Sequence, residues 1–261
     1  AGPAVNAMRV GCEARTDVGR KRKGNEDSLF LNPEQKLYVV ADGMGGHAAG
    51  EIASRVAVDA INEFVTLTGG NEEITWPFGL DDTISYEGNR LKTAVRHANR
   101  RVLEATRESP EYEGMATTVA AVLVDGDTAH IAHVGDSRIY LWSGGEISQL
   151  TSDHSWVNEQ IQSGVISPEQ ARSHPLRNVV TRALGGRSDL VVDIQSRRMD
   201  PGDVLLLCSD GLTTMIGDED IARIIADTAG DVARAATALV DEANERGGDD
   251  NITVVLLKFE E

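Results

Sequence analysis

Basic residues are scarce in this chain. Its 25 Lys plus Arg stand against 42 Asp plus Glu, a formal charge of −17 over 261 residues. Nucleic-acid binders draw affinity from neutralising phosphates with a basic face, and peripheral membrane proteins from pairing with anionic lipid, so the balance argues against both. Cysteine is scarcer still, with Cys12 and Cys208 alone, too few for a disulfide framework. Both sit in apolar, strand-like stretches, which reads as two buried, reduced thiols in a cytoplasmic compartment. No apolar run approaches the ~20 residues of a membrane span. Residues 1–7 lack the charged start and apolar core of a signal peptide and read as a tail or expression remnant, with Met8 a candidate native start. Proline is rare at 7, no stretch reads as a linker, and no repeat of solenoid length occurs. Residues 1–261 are therefore expected to form a single domain, large enough to bury roughly three quarters of its unfolded surface without a disulfide or a structural metal.

What the chain does have is alternation between short β-rich runs and long amphipathic ones. Leu37 to Ala41 reads as a buried strand. Residues 48–65 read as a helix with Ile52, Val56, Ala60 and Phe64 on one stripe, and 89–108 as a second with Leu91, Val95, Ala98 and Val102 inward. A polar loop, 66–88, separates them. Strands are expected at 118–124, 129–134 and 138–142, with Asp125-Gly126-Asp127 as the hairpin turn between the first two. Residues 156–187 are polar, weakly helical and rich in turn residues. A buried strand at 204–208 precedes helices at 220–227 and 232–246, and a strand at 252–259 closes the chain. Strands come in runs and helices in pairs between them. Regular βαβ alternation would predict a parallel doubly wound sheet. This grouping predicts instead a layered α/β (α+β) sandwich of antiparallel sheets covered by helix pairs.

The aspartates fall where strands end. Asp42-Gly43 follows Ala41, Asp210-Gly211 follows Leu205 to Ser209, Gly135-Asp136 lies between two strands, and Asp250-Asn251 precedes the last strand. Glu26 and Asp27 add two acids ahead of Ser28-Leu29-Phe30. Any one Asp-Gly pair is readily a turn, and Asp125-Gly126 is read as no more than that. Converging strand ends would bring the other acids together, where mutual repulsion is relieved by protonation or by divalent cations. An all-oxygen set suits magnesium or manganese, and the six histidines show no zinc-ligand spacing. Within the basic run Arg20 to Lys23, one guanidinium beside such a cluster would serve a phosphate monoester. A rival reading treats Gly43-Met44-Gly45-Gly46-His47-Ala48 as a dinucleotide fingerprint. It would aim the Asp42 carboxylate at the pyrophosphate. A P-loop fails for want of Gly-Lys-Ser/Thr.

Six segments in order resemble the metal-dependent serine/threonine protein phosphatases of the PPM (type 2C) family, in particular its bacterial branch. They are Arg22 to Ser28, Val40 to His47, Ala116-Thr117-Thr118, Val134 to Arg138, Leu207 to Leu212 and Asp249 to Thr253, and they span nearly the whole chain. The resemblance implies a four-layer αββα sandwich of two antiparallel sheets flanked by helix pairs. It implies two or three divalent ions, Mn2+ or Mg2+, held by Glu26, Asp42, the Gly43 carbonyl, Asp210 and Asp250, with Asp136 and Asp210 at a third, weaker site. Asp42 would bridge two ions, Asp27 would orient bound water, and Arg22 would bind the substrate phosphate, so that Arg22, Asp42 and Asp27 form the catalytic set. Residues 152–195 correspond to the family's flap beside the active site. His174 there is a candidate substrate contact, and His154 is expected to fix the flap's base.

The expected activity is hydrolysis of phosphoserine and phosphothreonine in proteins by water activated between two metals, with no phosphoenzyme. Phosphorylated proteins, among them serine/threonine kinases and their substrates, are the expected partners of a monomeric, cytoplasmic enzyme that contacts neither nucleic acid nor membrane. One departure stands out. Many eukaryotic relatives carry a proton-donating histidine after the Asp-Gly pair, where this chain has Met44. His47 is read as a helix-entry residue. The alternatives are a small-molecule phosphomonoesterase on the same scaffold and a silent phosphoprotein-binding module.

Overall fold

The computed structural model describes residues 8–46, 49–70 and 76–261. The tail at 1–7 and His47 lie outside the described residues. Strands β1 (Arg9–Asp17), β2 (Asp27–Asn32) and β3 (Leu37–Met44) lead into helices α1 (Ala49–Thr68) and α2 (Tyr86–Thr106). A short 3-10 turn (Pro110–Tyr112) follows, then β4 (Ala116–Thr117), β5 (Val119–Asp125), β6 (Thr128–Val134), β7 (Arg138–Ser143) and β8 (Glu146–Gln149). Residues 152–195 carry α3 (Trp156–Gln162) and α4 (Pro168–Arg172). Strands β9 (Asp193–Arg198) and β10 (Val204–Cys208), helices α5 (Asp210–Thr213), α6 (Asp218–Asp227) and α7 (Val232–Glu245), and strand β11 (Ile252–Glu260) complete the order.

Two antiparallel sheets result. One runs β1-β11-β10-β7-β8, and the other β2-β3-β5-β6-β9, with β4 paired to β3. Period-two alternation along their apolar strands builds three hydrophobic layers from one sequence pattern. Leu37, Val39 and Ala41 of β3, with Val119, Ala121 and Leu123 of β5, pack outward under α1 and α2. Their neighbours Tyr38, Val40, Ala120 and Val122 face inward and meet Leu205, Leu207, Val255 and Leu257 of the other sheet. Val204, Leu206 and Cys208 of β10, with Val254 and Leu256 of β11, pack outward beneath Leu212, Ile221, Ile225, Ala236 and Leu239. The chain is thus a layered sandwich of antiparallel sheets covered by helices, as the grouping of elements predicts, in the αββα order that the resemblance implies. Each fully buried Leu, Val or Ile stabilises it by ~1.5–3 kcal/mol relative to exposure.

Several boundaries differ from the sequence expectation. Helix α2 starts at Tyr86 rather than 89, because Ser85 caps it by accepting the Gly88 N–H at 3.0 Å. Likewise α6 starts at Asp218, placing Asp218, Glu219 and Asp220 in its first turn, where acids complement the helix dipole. Cys208 is buried as expected, whereas Cys12 is only half-buried, since β1 is an edge strand. No described helix is long and apolar enough to cross a membrane.

Candidate metal centre

The acidic side chains gather at one end of the sandwich, on the seam between the sheets. Register sets the first pair: Asp27, opening β2, lies directly opposite Asp42 near the end of β3. Asp210 follows β10 and Asp250 precedes β11, which are paired neighbours in the other sheet. Asp136 occupies the turn between β6 and β7.

Asp27 is the keystone across the seam. Its Oδ2 accepts from Ser209 Oγ at 2.7 Å and from Thr253 Oγ1 at 2.6 Å, both on the opposite sheet's side. Ser209 Oγ accepts in turn from the Thr253 N–H at 3.0 Å. Asp42 is fixed through its backbone, donating its N–H to Thr118 Oγ1 at 3.0 Å, and Thr118 shares a 2.6 Å hydrogen bond with Ser137 beside Asp136. Asn251 ties the Arg22 loop to the Asp250 segment. Its Nδ2 donates to the Val18 and Gly24 carbonyls at 2.9 Å each, while its Oδ1 accepts the Glu26 N–H at 2.8 Å.

Glu26 sits at the N-terminus of α1 with its Oε1 packed against Gly50, where the helix dipole favours a carboxylate. The approach needs glycine: a Cβ on Gly50 would overlap Glu26 Oε1, and one on Gly43 would overlap the Gly50 carbonyl. Gly43 closes this cradle by donating its N–H to the Glu26 carbonyl at 3.1 Å. Arg22 Nη2 pairs with Asp250 Oδ2 at 2.7 Å, and its Nη1 lies 3.8 Å from Glu26 Oε2. The Asp250 hydrogen bond holds the Arg22 guanidinium firmly protonated. Lys21 pairs with Asp249, so of the basic run it is Arg22 that meets the carboxylates.

Crowding buried acids raises their pKa values. Burial moves Asp27 up to about 7 against the pull of its two hydroxyl donors, and Asp136 up to about 8 with help from the charge on Asp210. Asp42 is pushed well above the usual range by burial and then by the charges on Asp27, Asp210 and Asp136. Burial and the charge on Asp250 raise Asp210. Three buried carboxylate oxygens, Glu26 Oε1, Asp27 Oδ1 and Asp210 Oδ1, have no hydrogen-bond partner. An unpartnered buried acceptor is costly. Acids held together with orphaned oxygens form an all-oxygen donor set that fits a hard divalent cation such as Mg2+ or Mn2+.

A hollow of about 320 Å³ opens over this cluster, lined by Arg22, Asp210 and Asp250 and by Arg177 and Asn178 of the segment after α4. It adjoins a cleft of about 960 Å³ between α3 and α4 on one side and the α5–α6 segment on the other. Val157, Ile161 and Ala171 line it from one side and Met215 and Ile216 from the other, and Asp136 and Asp210 line it too. His174 stacks on Trp156 at 4.7 Å and accepts the Leu176 N–H at 3.1 Å, both contacts within its own segment. Sequence reasoning missed Ser209, Thr253, Thr118, Ser137 and Gly50 as supports of the cluster. Ser209 and Thr253 stand one and three residues from Asp210 and Asp250, so a search for hydroxyls flanking each strand-end acid could have found them.

The sequence model of the family described as Protein phosphatase 2C matches residues 20–246. The serine/threonine phosphatase stp of Listeria monocytogenes is 38% identical over 253 residues, covering 94% of each chain. The crystal structure of the Mycobacterium tuberculosis serine/threonine phosphatase PstP/Ppp superposes with a TM-score of 0.84 at 36% identity, covering 97% of this chain and 99% of that one. The catalytic domain of PstP solved in complex with 2 manganese ions gives a TM-score of 0.83 at 35% identity, covering 97% of this chain and 100% of that one.

Proposed function

The chain belongs to the protein phosphatase 2C family, and we propose on that premise that it removes phosphate from serine and threonine residues of proteins by direct attack of water. It is a hydrolytic enzyme of the serine/threonine phosphatase class. The observation that carries the reading is the set of buried carboxylates with unpartnered oxygens at the seam of the sheets. Asp42, Asp210, Asp250, Glu26 and the Gly43 carbonyl would hold two divalent ions, and Asp136 with Asp210 a third. When bound, such ions make water acidic near neutral pH and offset charge on phosphoryl oxygens.

The chain's own residues supply the rest. Asp27, locked by Ser209 and Thr253, keeps one oxygen free to orient water in the cluster. Arg22 presents a guanidinium fork at the floor of the hollow, suited to bidentate binding of a phosphate ester. Met44 carries no transferable proton, so protonation of the leaving alcohol falls to solvent or another side chain. The cleft of about 960 Å³ that Asp136 and Asp210 help to line offers more room than a small phosphomonoester fills and favours a polypeptide substrate, and the intact carboxylate set speaks against a silent binding module. Residues 152–195 act as the flap that walls this cleft within one catalytic domain. Phosphorylated kinases and their substrates are the partners we assign, in a reducing cytoplasmic compartment consistent with two free cysteines.

Turnover of a phosphothreonine peptide and of an aryl phosphate, each with and without Mn2+, tests this. Asp210→Asn should lower Mn2+-stimulated turnover by on the order of 100-fold or more while circular dichroism shows the fold retained. Wild-type rates from that variant at saturating Mn2+ refute the assignment.

A further inference from the structure

Outside the carboxylate centre, one ring nitrogen each of His133 and His154 and an Asp193 carboxylate oxygen lie within 4.8 Å of one another. The two rings stack at 4.7 Å, 12° from parallel. Three such atoms suggest a transition-metal site, but the hydrogen bonds oppose it. Gly135 donates its N–H to His154 Nδ1 at 2.9 Å. That nitrogen must offer a lone pair, so the proton of the neutral ring is on Nε2, which donates to Asp193 Oδ2 at 3.1 Å. A metal on Nε2 would move the proton to Nδ1, where it would meet the Gly135 N–H head-on. His133 Nε2 faces the Ser152 carbonyl at 2.9 Å, a contact only a protonated nitrogen makes.

We propose that His154 is a positioning residue: by accepting the Gly135 N–H it holds the Gly135-Asp136 turn so that the Asp136 carboxylate stays beside Asp210. This rests on the reading of Asp136 as ligand of the weaker third ion. His154 grips Gly135 twice, since its own N–H donates to the Gly135 carbonyl at 2.9 Å. Gly135 needs that grip on both sides of its Cα because it lies at φ +105°, with Thr118 packed where a Cβ would stand. Ser137 is held by the same Thr118, so the turn is clamped before and after Asp136. The grip also reaches the flap. Asp193 accepts from Arg182 at 2.8 Å through its other oxygen, and the Thr181 N–H donates to the His154 carbonyl at 2.9 Å. Both ends of the flap therefore meet at the residue that sets Asp136.

Two variants separate the ring's functions. His154→Asn places an amide oxygen near the position of Nδ1 and keeps the acceptor, while His154→Gln places an amide nitrogen near Nε2 and keeps only the donor. Calorimetric titration with Mn2+ and exchange of the Gly135 amide proton by NMR are the readouts. Glutamine should weaken the low-affinity Mn2+ site by about tenfold or more and lose protection at Gly135, while asparagine stays within about threefold of wild type. Glutamine matching wild type in both readouts overturns the proposal. Asp136→Asn is the control. If it retains the weak site, the ligand reading fails by itself, and Gly135 exchange alone then decides for or against His154. Nitrogen shifts of the wild-type His154 ring give an answer that depends on no variant: a proton on Nδ1, or a Zn2+ ion that binds and displaces it, overturns the proposal.

Discussion

Chelation should make the stability of this fold fall as the pH rises. Asp27 and Asp136 have native pKa values raised by burial to about 7 and about 8, whereas an unfolded chain ionises such groups near ~3.9. Between those limits the native, metal-free protein holds protons that the unfolded chain has released. The sign follows: unfolding releases protons, so higher pH favours the unfolded state. One such proton contributes a slope of ~1.4 kcal/mol per pH unit, or ~3 kcal/mol between pH 5 and 7, and a second doubles it. The half-buried His97 and the buried His130 and His154 oppose this trend because their pKa values are lowered, chiefly by burial. Comparing EDTA with saturating Mn2+ removes their contribution. Urea denaturation at pH 5, 6 and 7 in each condition gives the difference directly. It should widen in favour of Mn2+ by at least ~3 kcal/mol over the range. A difference that stays flat or narrows would refute the claim that these carboxylates are crowded, proton-holding groups in the apo fold.

Gly50→Ala puts a methyl group against Glu26 Oε1; it should destabilise by ~1–3 kcal/mol and raise the Mn2+ concentration for half-maximal turnover, seen in paired denaturation and activation curves. Leu205→Ala opens a cavity between the sheets, where Leu205 is fully buried; a loss of ~2–5 kcal/mol in denaturant unfolding is expected, and a loss below 1 would mean the layer repacks freely.

The apolar strands were legible because their alternation carries information at both faces. Residues 119–124 read as a strand whichever neighbour they meet, and all six are buried. Polar edge strands carried no such signal: β9, Asp193 to Arg198, is mostly exposed and has only one apolar residue, Ile194. The same physics divides the site. Carboxylates beside glycines at strand ends stand out within a few residues of sequence. Their supports do not, because Ser209 and Thr253 reach Asp27 across 182 and 226 residues of chain, a meeting made by sheet packing alone. His154 stood out in the sequence only as an expected support for residues 152–195, and its hold on Gly135 depends on which ring nitrogen faces a backbone amide.

Because Asp27 and Asp42 belong to one sheet while Asp210 and Asp250 adjoin the other, cations held there would act as a rivet through both plates. Pulling the plates apart or sliding one along the other would then have to eject the cations first. A chelator becomes a mechanical agent as much as an inhibitor, and single-molecule extension should find the loaded protein brittle and the stripped one compliant.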